Sequence, residues 1–192
     1  IAVEHLLRTA ERARAARLAS ELSQRLYNTG RLSTLQRWLA TLGDDTIATW
    51  PPLAVNACVA SVLTGDIVGS ERWAAMVDAA SFDLPPRDGS ASFESARAML
   101  RALMCPNGPQ AMLADATIAL EEEPPWSLRR PNVLWLLAEA HLMLGDVEEA
   151  REELVHHRVP GVEEHEHGAG GRLDSGRATP HAAPPPAPHL PP

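Results

Sequence analysis

The sequence predicts an all-α protein, a right-handed α-solenoid of stacked helical hairpins followed by a disordered C-terminal tail. Three observations carry that expectation. Apolar residues recur at helical spacing on both sides of four glycines, Gly30, Gly65, Gly108 and Gly145, and that spacing marks helices with one packed face. The glycines stand 35, 43 and 37 residues apart, a period at which one helix pair forms each unit of a stacked array. The composition is 45% apolar but only 4% aromatic and is rich in Ala and Leu, which favours helix over sheet.

Taken along the chain, helices are expected over 2–8, 11–28 and 32–43, the last two separated by Gly30. Glycine just past a helix end supplies the left-handed stop at little steric cost. "LGDDTIATWPP" (42–52) then breaks the pattern, because proline removes a backbone donor and blocks helix continuation. Helices at 53–64 and 67–80 flank Gly65, with Asp66 favouring the start of the second. "FDLPPRDGSAS" (82–92) is the next break, followed by helices at 91–104 and 109–122 around Gly108. "EEEPPWSLRRP" (121–131) is the last, and Pro131 suits the first turn of a helix over 132–144. A final helix over 147–155 follows Gly145 and Asp146. Arg129 and Arg130 are expected to be a solvated helix start.

"LLAEAHLMLGDVEEAREEL" (136–154) writes the hairpin most clearly. Leu134, Leu137, Ala138 and His141 share one face of its first helix, and Ala150 and Leu154 form the packing face of its second. Small Ala138 and Ala150 allow close approach. The corresponding pairs are Cys58 with Ser70 and Ser23 with Leu35, which makes Cys58 a packing residue rather than a nucleophile. "TGRLSTLQRW" (29–38) and "TGDIVGSERW" (64–73) are then one turn and one anchor written twice, with Trp38 and Trp73 at equivalent places.

This unit resembles the tetratricopeptide repeat, which pairs a small residue in each helix around a Gly-Asp turn. A narrower resemblance is carried by "GRLSTLQRWLATL", "PPLAV", "ERWAAM", "DGSASFESARAMLRALMC" and "EEEPPW". Together these are similar to the helical-repeat region of MalT-like, LuxR-family ATP-dependent transcriptional regulators, particularly actinobacterial ones, over nearly all of residues 1–155. The resemblance implies repeats that receive an inducer or partner and pass the event to a nucleotide-binding module before them and a DNA-reading helix-turn-helix after them. Neither of those modules is written in this sequence, so no nucleotide or DNA residue carries over.

Composition narrows the function further. The formal charge is −8, and all 17 basic residues are Arg. Without Lys, Schiff-base chemistry and a lysine-bearing phosphate loop are excluded. An acidic chain without a basic stripe is poorly suited to DNA phosphates. Two distant cysteines, Cys58 and Cys105, imply neither a disulfide framework nor a zinc knuckle, so a cytoplasmic location is expected. The most apolar run, 133–144, is too short to span a bilayer and contains Glu139 and His141.

No nucleophile elbow, His-Glu-x-x-His pair or dinucleotide fingerprint appears. Glu121, Glu122 and Glu123 are adjacent and point in different directions around a helix end rather than pairing as acid and base. The sequence therefore assigns no catalytic, cofactor-binding or metal-binding residue. The expected function is a non-catalytic sensor or protein-interaction segment of such a regulator, with a free-standing tetratricopeptide-like scaffold as the alternative. The ligand on the repeat surface would be a protein, a peptide or a small-molecule inducer. Asn132, Trp135 and Glu139, at i, i+3 and i+7, form a stripe that faces the groove of such an array. Trp135 in the core is the competing reading.

Residues 156–192 hold 8 of the 17 prolines and 6 of the 8 histidines. That composition cannot bury enough apolar surface to offset chain entropy, and the segment is expected to be a disordered tail. His156, His157, His165 and His167 fit no closed-site spacing for a metal. From the helical text at Ile1 and the abrupt change after 155, the expectation is that neither end is a natural domain boundary, one hypothesis being that the tail is read out of register.

Overall fold

In a computed structural model of the chain, the residues described are 2–9 and 11–156. Ten helices and no strand occur among them: α1 (Ala2–Leu7), α2 (Arg12–Asn28), α3 (Leu32–Leu42), α4 (Asp44–Ala48), α5 (Pro51–Thr64), α6 (Ile67–Ala79), α7 (Phe93–Met104), α8 (Pro109–Glu122), α9 (Arg130–Leu144) and α10 (Val147–His156). The protein is all-α, and no described helix is long and apolar enough to cross a membrane. His157, His165, His167 and the proline-rich tail lie outside the described residues.

Helices pair as hairpins, α2 with α3, α5 with α6, α7 with α8 and α9 with α10. Their first members also touch in succession, α2 with α5, α5 with α7 and α7 with α9. Three of the four inter-helix turns are built alike. Gly30, Gly65 and Gly145 have φ of 66°, 72° and 92°. The amide after each glycine reaches back five residues, Arg31 to Leu26 O (2.8 Å), Asp66 to Ser61 O (2.9 Å) and Asp146 to His141 O (2.9 Å). These bonds satisfy carbonyls that the helix end leaves open.

The fourth turn differs from expectation. Gly108 is not the helix stop; Cys105 takes the left-handed conformation at φ 45° and its amide bonds Arg101 O, while Gly108 caps the start of α8. Four residues, Cys105 to Gly108, separate the two helices, so the pattern of the other turns is displaced. Two further boundaries move because of capping chemistry. α5 begins at Pro51 rather than 53, since both prolines fit the first turn, where the missing donor costs nothing. α7 begins at Phe93, with Ser92 as cap accepting from the Ser95 amide at 2.9 Å. The short α4 lies inside a stretch expected to be only a break.

The equivalent positions pack as equivalent. Trp38 and Trp73 are both buried in second helices, and the pairs Ser23 with Leu35, Cys58 with Ser70 and Ala138 with Ala150, one residue from each helix of a hairpin, are buried too. Cys58 donates its thiol to Ser70 O at 3.2 Å, so that pair is one point of contact between α5 and α6. Leu154 departs from expectation: it is 45% exposed rather than buried.

The buried apolar residues form two clusters that meet on α7. One runs from Val3 to Leu100, and the other joins Ala98 and Ala102 to Met112, Ala116 and the buried face of α9. Where α5 and α7 are joined, Trp50, Phe82 and Phe93 stack edge to face at centroid distances of 4.8 and 5.7 Å. Exposed ion pairs cross between hairpins, Arg72 to Asp44 (2.8 Å) and Arg101 to Asp78 (2.7 Å). Each contributes little in water, about 0–1 kcal/mol.

Candidate functional site

The succession α2, α5, α7, α9 leaves a groove along the first helices, with a cavity of about 330 Å³. Each helix gives it one face at helical spacing: Gln24 and Tyr27; Val55, Asn56, Val59 and Leu63; Ala96, Met99, Leu100 and Leu103; Asn132, Trp135 and Leu136. The walls are mostly aliphatic. Asp88, from the connection between α6 and α7, and Arg129, just before α9, close one end.

That end is a bonded polar network. Tyr27 Oη donates to Asn56 O at 2.5 Å, and Asn56 Nδ2 donates to Pro52 O at 2.8 Å and lies 3.4 Å from Asp88 Oδ2. Arg129 Nη2 donates to Asp88 O at 2.8 Å and stands 3.6 Å from its carboxylate. The second carboxylate oxygen of Asp88 takes the Ser90 amide at 3.1 Å and the Ser90 hydroxyl. The Arg129 side chain is only 12% exposed and Asp88 is buried, so two opposite charges are removed from water together. Burial pushes the Tyr27 phenol well above its ordinary value, with the Arg129 cation pulling the other way. Tyr27 therefore acts here as a neutral donor.

Of the three residues expected to face a groove, Asn132 and Trp135 line this cavity. Glu139 lies one turn further along α9, half-buried, and does not line it. Trp135 is 48% exposed, which rules out the reading of it as core. Arg129 and Arg130 correct another expectation. Neither is a solvated helix start: Arg129 holds Asp88, and Arg130 Nη1 donates to Glu123 O at 2.6 Å and to Leu120 O at 3.3 Å.

The sequence reading missed Tyr27, Asn56, Asp88 and Arg129 as a group. They come from four segments, and no local spacing links them. Glu123, read from the sequence only as one of three adjacent acids at a helix end, is 1% exposed and accepts hydrogen bonds from the Ala91 amide (3.0 Å), the Ser95 hydroxyl and the Ser127 hydroxyl. Those bonds fasten the connections before α7 and before α9 to the end of α8, so Glu123 is a fastener between loops. Elsewhere, Cys58 is fully buried, and its thiol is pushed up to about 11 by burial. A thiol held neutral in this way is a poor nucleophile. Among the described residues, no three His, Cys, Asp or Glu side chains converge as metal ligands would.

Compared with known proteins, the chain matches no family model, no curated protein and no solved structure.

Proposed function

We propose that the helical unit is a non-catalytic binding module, an α-solenoid of tetratricopeptide-like hairpins that holds a ligand in the groove along its first helices. The observation that carries this reading is the lining itself: four consecutive first helices each contribute a face to one cavity. A cavity of about 330 Å³ is at the small end of the range for ligand pockets, and aliphatic walls with a few polar groups at one end are their usual chemistry. In this reading the chain is the sensor segment of a MalT-like, LuxR-family regulator, and occupancy of the groove sets how successive hairpins sit on one another.

Melting curves against a panel of small apolar molecules and peptides test it. A ligand that binds only the folded state raises Tm with its concentration. The expected result is a rise in the unaltered chain that is lost in Leu103→Trp, where the indole fills the groove. A rise that persists in that variant contradicts the reading.

A scaffold for a protein partner is favoured by a different observation, the 82% exposure of Trp126 and similar exposure of Leu128 beside the start of α9. Exposed aromatic anchors dominate many protein interfaces. A partner whose affinity falls in Trp126→Ser and is unchanged in Leu103→Trp would point to this second surface.

A further inference from the structure

We propose that the ligand of the groove is an uncharged small molecule with an apolar body and a single hydrogen-bonding end. This rests on the reading of the groove as the binding site. Charge decides the class. The cationic and anionic groups that line the cavity, Arg129 and Asp88, are bonded to each other, and the Asp88 carboxylate also takes Ser90 and Asn56. An anion reaching Arg129 meets a guanidinium already compensated by Asp88, and a cation reaching Asp88 meets a carboxylate already compensated by Arg129. Either would give up its hydration for no net counter-charge, and burying an uncompensated charge is strongly unfavourable.

The same accounting disfavours a peptide. Val55, Val59, Met99, Leu100 and Leu103 offer no backbone partner along the walls, and each buried peptide amide left unbonded costs about 1–3 kcal/mol. A neutral molecule needs polar contacts at one end only. Asn132 is exposed at the rim and its side chain makes no hydrogen bond among the described residues, so its amide offers both a donor and an acceptor there. Trp135 supplies an aromatic face beside it.

Two nearly isosteric dyes separate the alternatives, neutral N-phenylnaphthylamine and its sulfonate, anilinonaphthalenesulfonate. Titrated into the chain and followed by dye fluorescence, with calorimetry for stoichiometry, the neutral dye is expected to bind one to one and the sulfonate about tenfold more weakly or worse. Met99→Trp and Leu103→Trp should each abolish neutral-dye binding, their helicity and melting being checked by circular dichroism. Val155→Ser, on the exposed end of α10, should leave it unchanged. Sulfonate binding as tight as the neutral dye overturns the inference. So does neutral-dye binding that survives both groove-filling variants or falls in Val155→Ser. If the neutral dye fails while a charged ligand or a peptide binds and is lost in Leu103→Trp, the inference fails and the groove remains the binding site. If no ligand is sensitive to either groove-filling variant, both readings fail.

Discussion

Single residues here are constrained by what they touch more than by their intrinsic preferences. Gly69 sits inside α6, where glycine normally costs about 0.5–1 kcal/mol relative to alanine. A Cβ built on it would lie 2.1 Å from Asp66 Oδ2 and 2.9 Å from Ser61 Oγ. Asp66 cannot move away without releasing the Gly69 amide it caps at 2.9 Å. Gly69→Ala is therefore expected to destabilise, by about 1–3 kcal/mol in denaturant unfolding, although helix propensity alone predicts a gain. At Glu123 the three donors it satisfies set the size of the effect. Glu123→Ala strands them in a buried site at about 1–3 kcal/mol each, and Glu123→Gln, which keeps an acceptor, should cost clearly less. Equal losses in the two variants would show that one retained acceptor oxygen does not suffice and that the intact carboxylate is required at this position. A thiol reagent should modify partly exposed Cys105 in the folded chain and reach buried Cys58 only on unfolding.

At the scale of elements, the helices were legible wherever local chemistry decided them. Gly30, Gly65 and Gly145 are each followed by the same five-residue bond, and the residues around them repeat, so helix ends and small packing positions could be read from the text. Gly108 misled because Cys105 ends α7 first, and nothing local distinguishes a glycine that stops a helix from one that caps the next. The connections were the least legible parts. "FDLPPRDGSAS" and "EEEPPWSLRRP" read as punctuation, yet they deliver Asp88, Glu123 and Arg129 into buried networks through partners 28 to 41 residues away. The Asp88–Arg129 pair couples the connection before α7 to the start of α9. Removing one member leaves the other charge buried alone, at about 3–5 kcal/mol. In a double-mutant cycle, Asp88→Ala and Arg129→Ala together should cost less than the sum of the two; additivity would mean that the pair does not couple these elements.

For the whole molecule, two buried groups predict how stability follows pH. Cys58 moves from an ordinary 9.0 to about 11, and the Tyr27 phenol moves above its ordinary 10.0. Both are raised in the folded state, so their contribution is complete below pH 9, where each is neutral folded or unfolded. As pH climbs above 9 the unfolded chain ionises first and stability falls. Tm should decline above pH 9, with a shallower slope in Cys58→Ala. The groove is a property of this same scale. Its faces at Val55 and Val59, at Met99 and Leu103 and at Asn132 and Trp135 are written in helical spacing, but that four helices converge on one cavity follows only from how the hairpins stack. Hydrogen exchange of the chain with and without N-phenylnaphthylamine tests that convergence most directly. Added protection is expected in all four first helices, α2, α5, α7 and α9, with little change in α6 and α10. Protection confined to α10, or absent from the first helices, would contradict it.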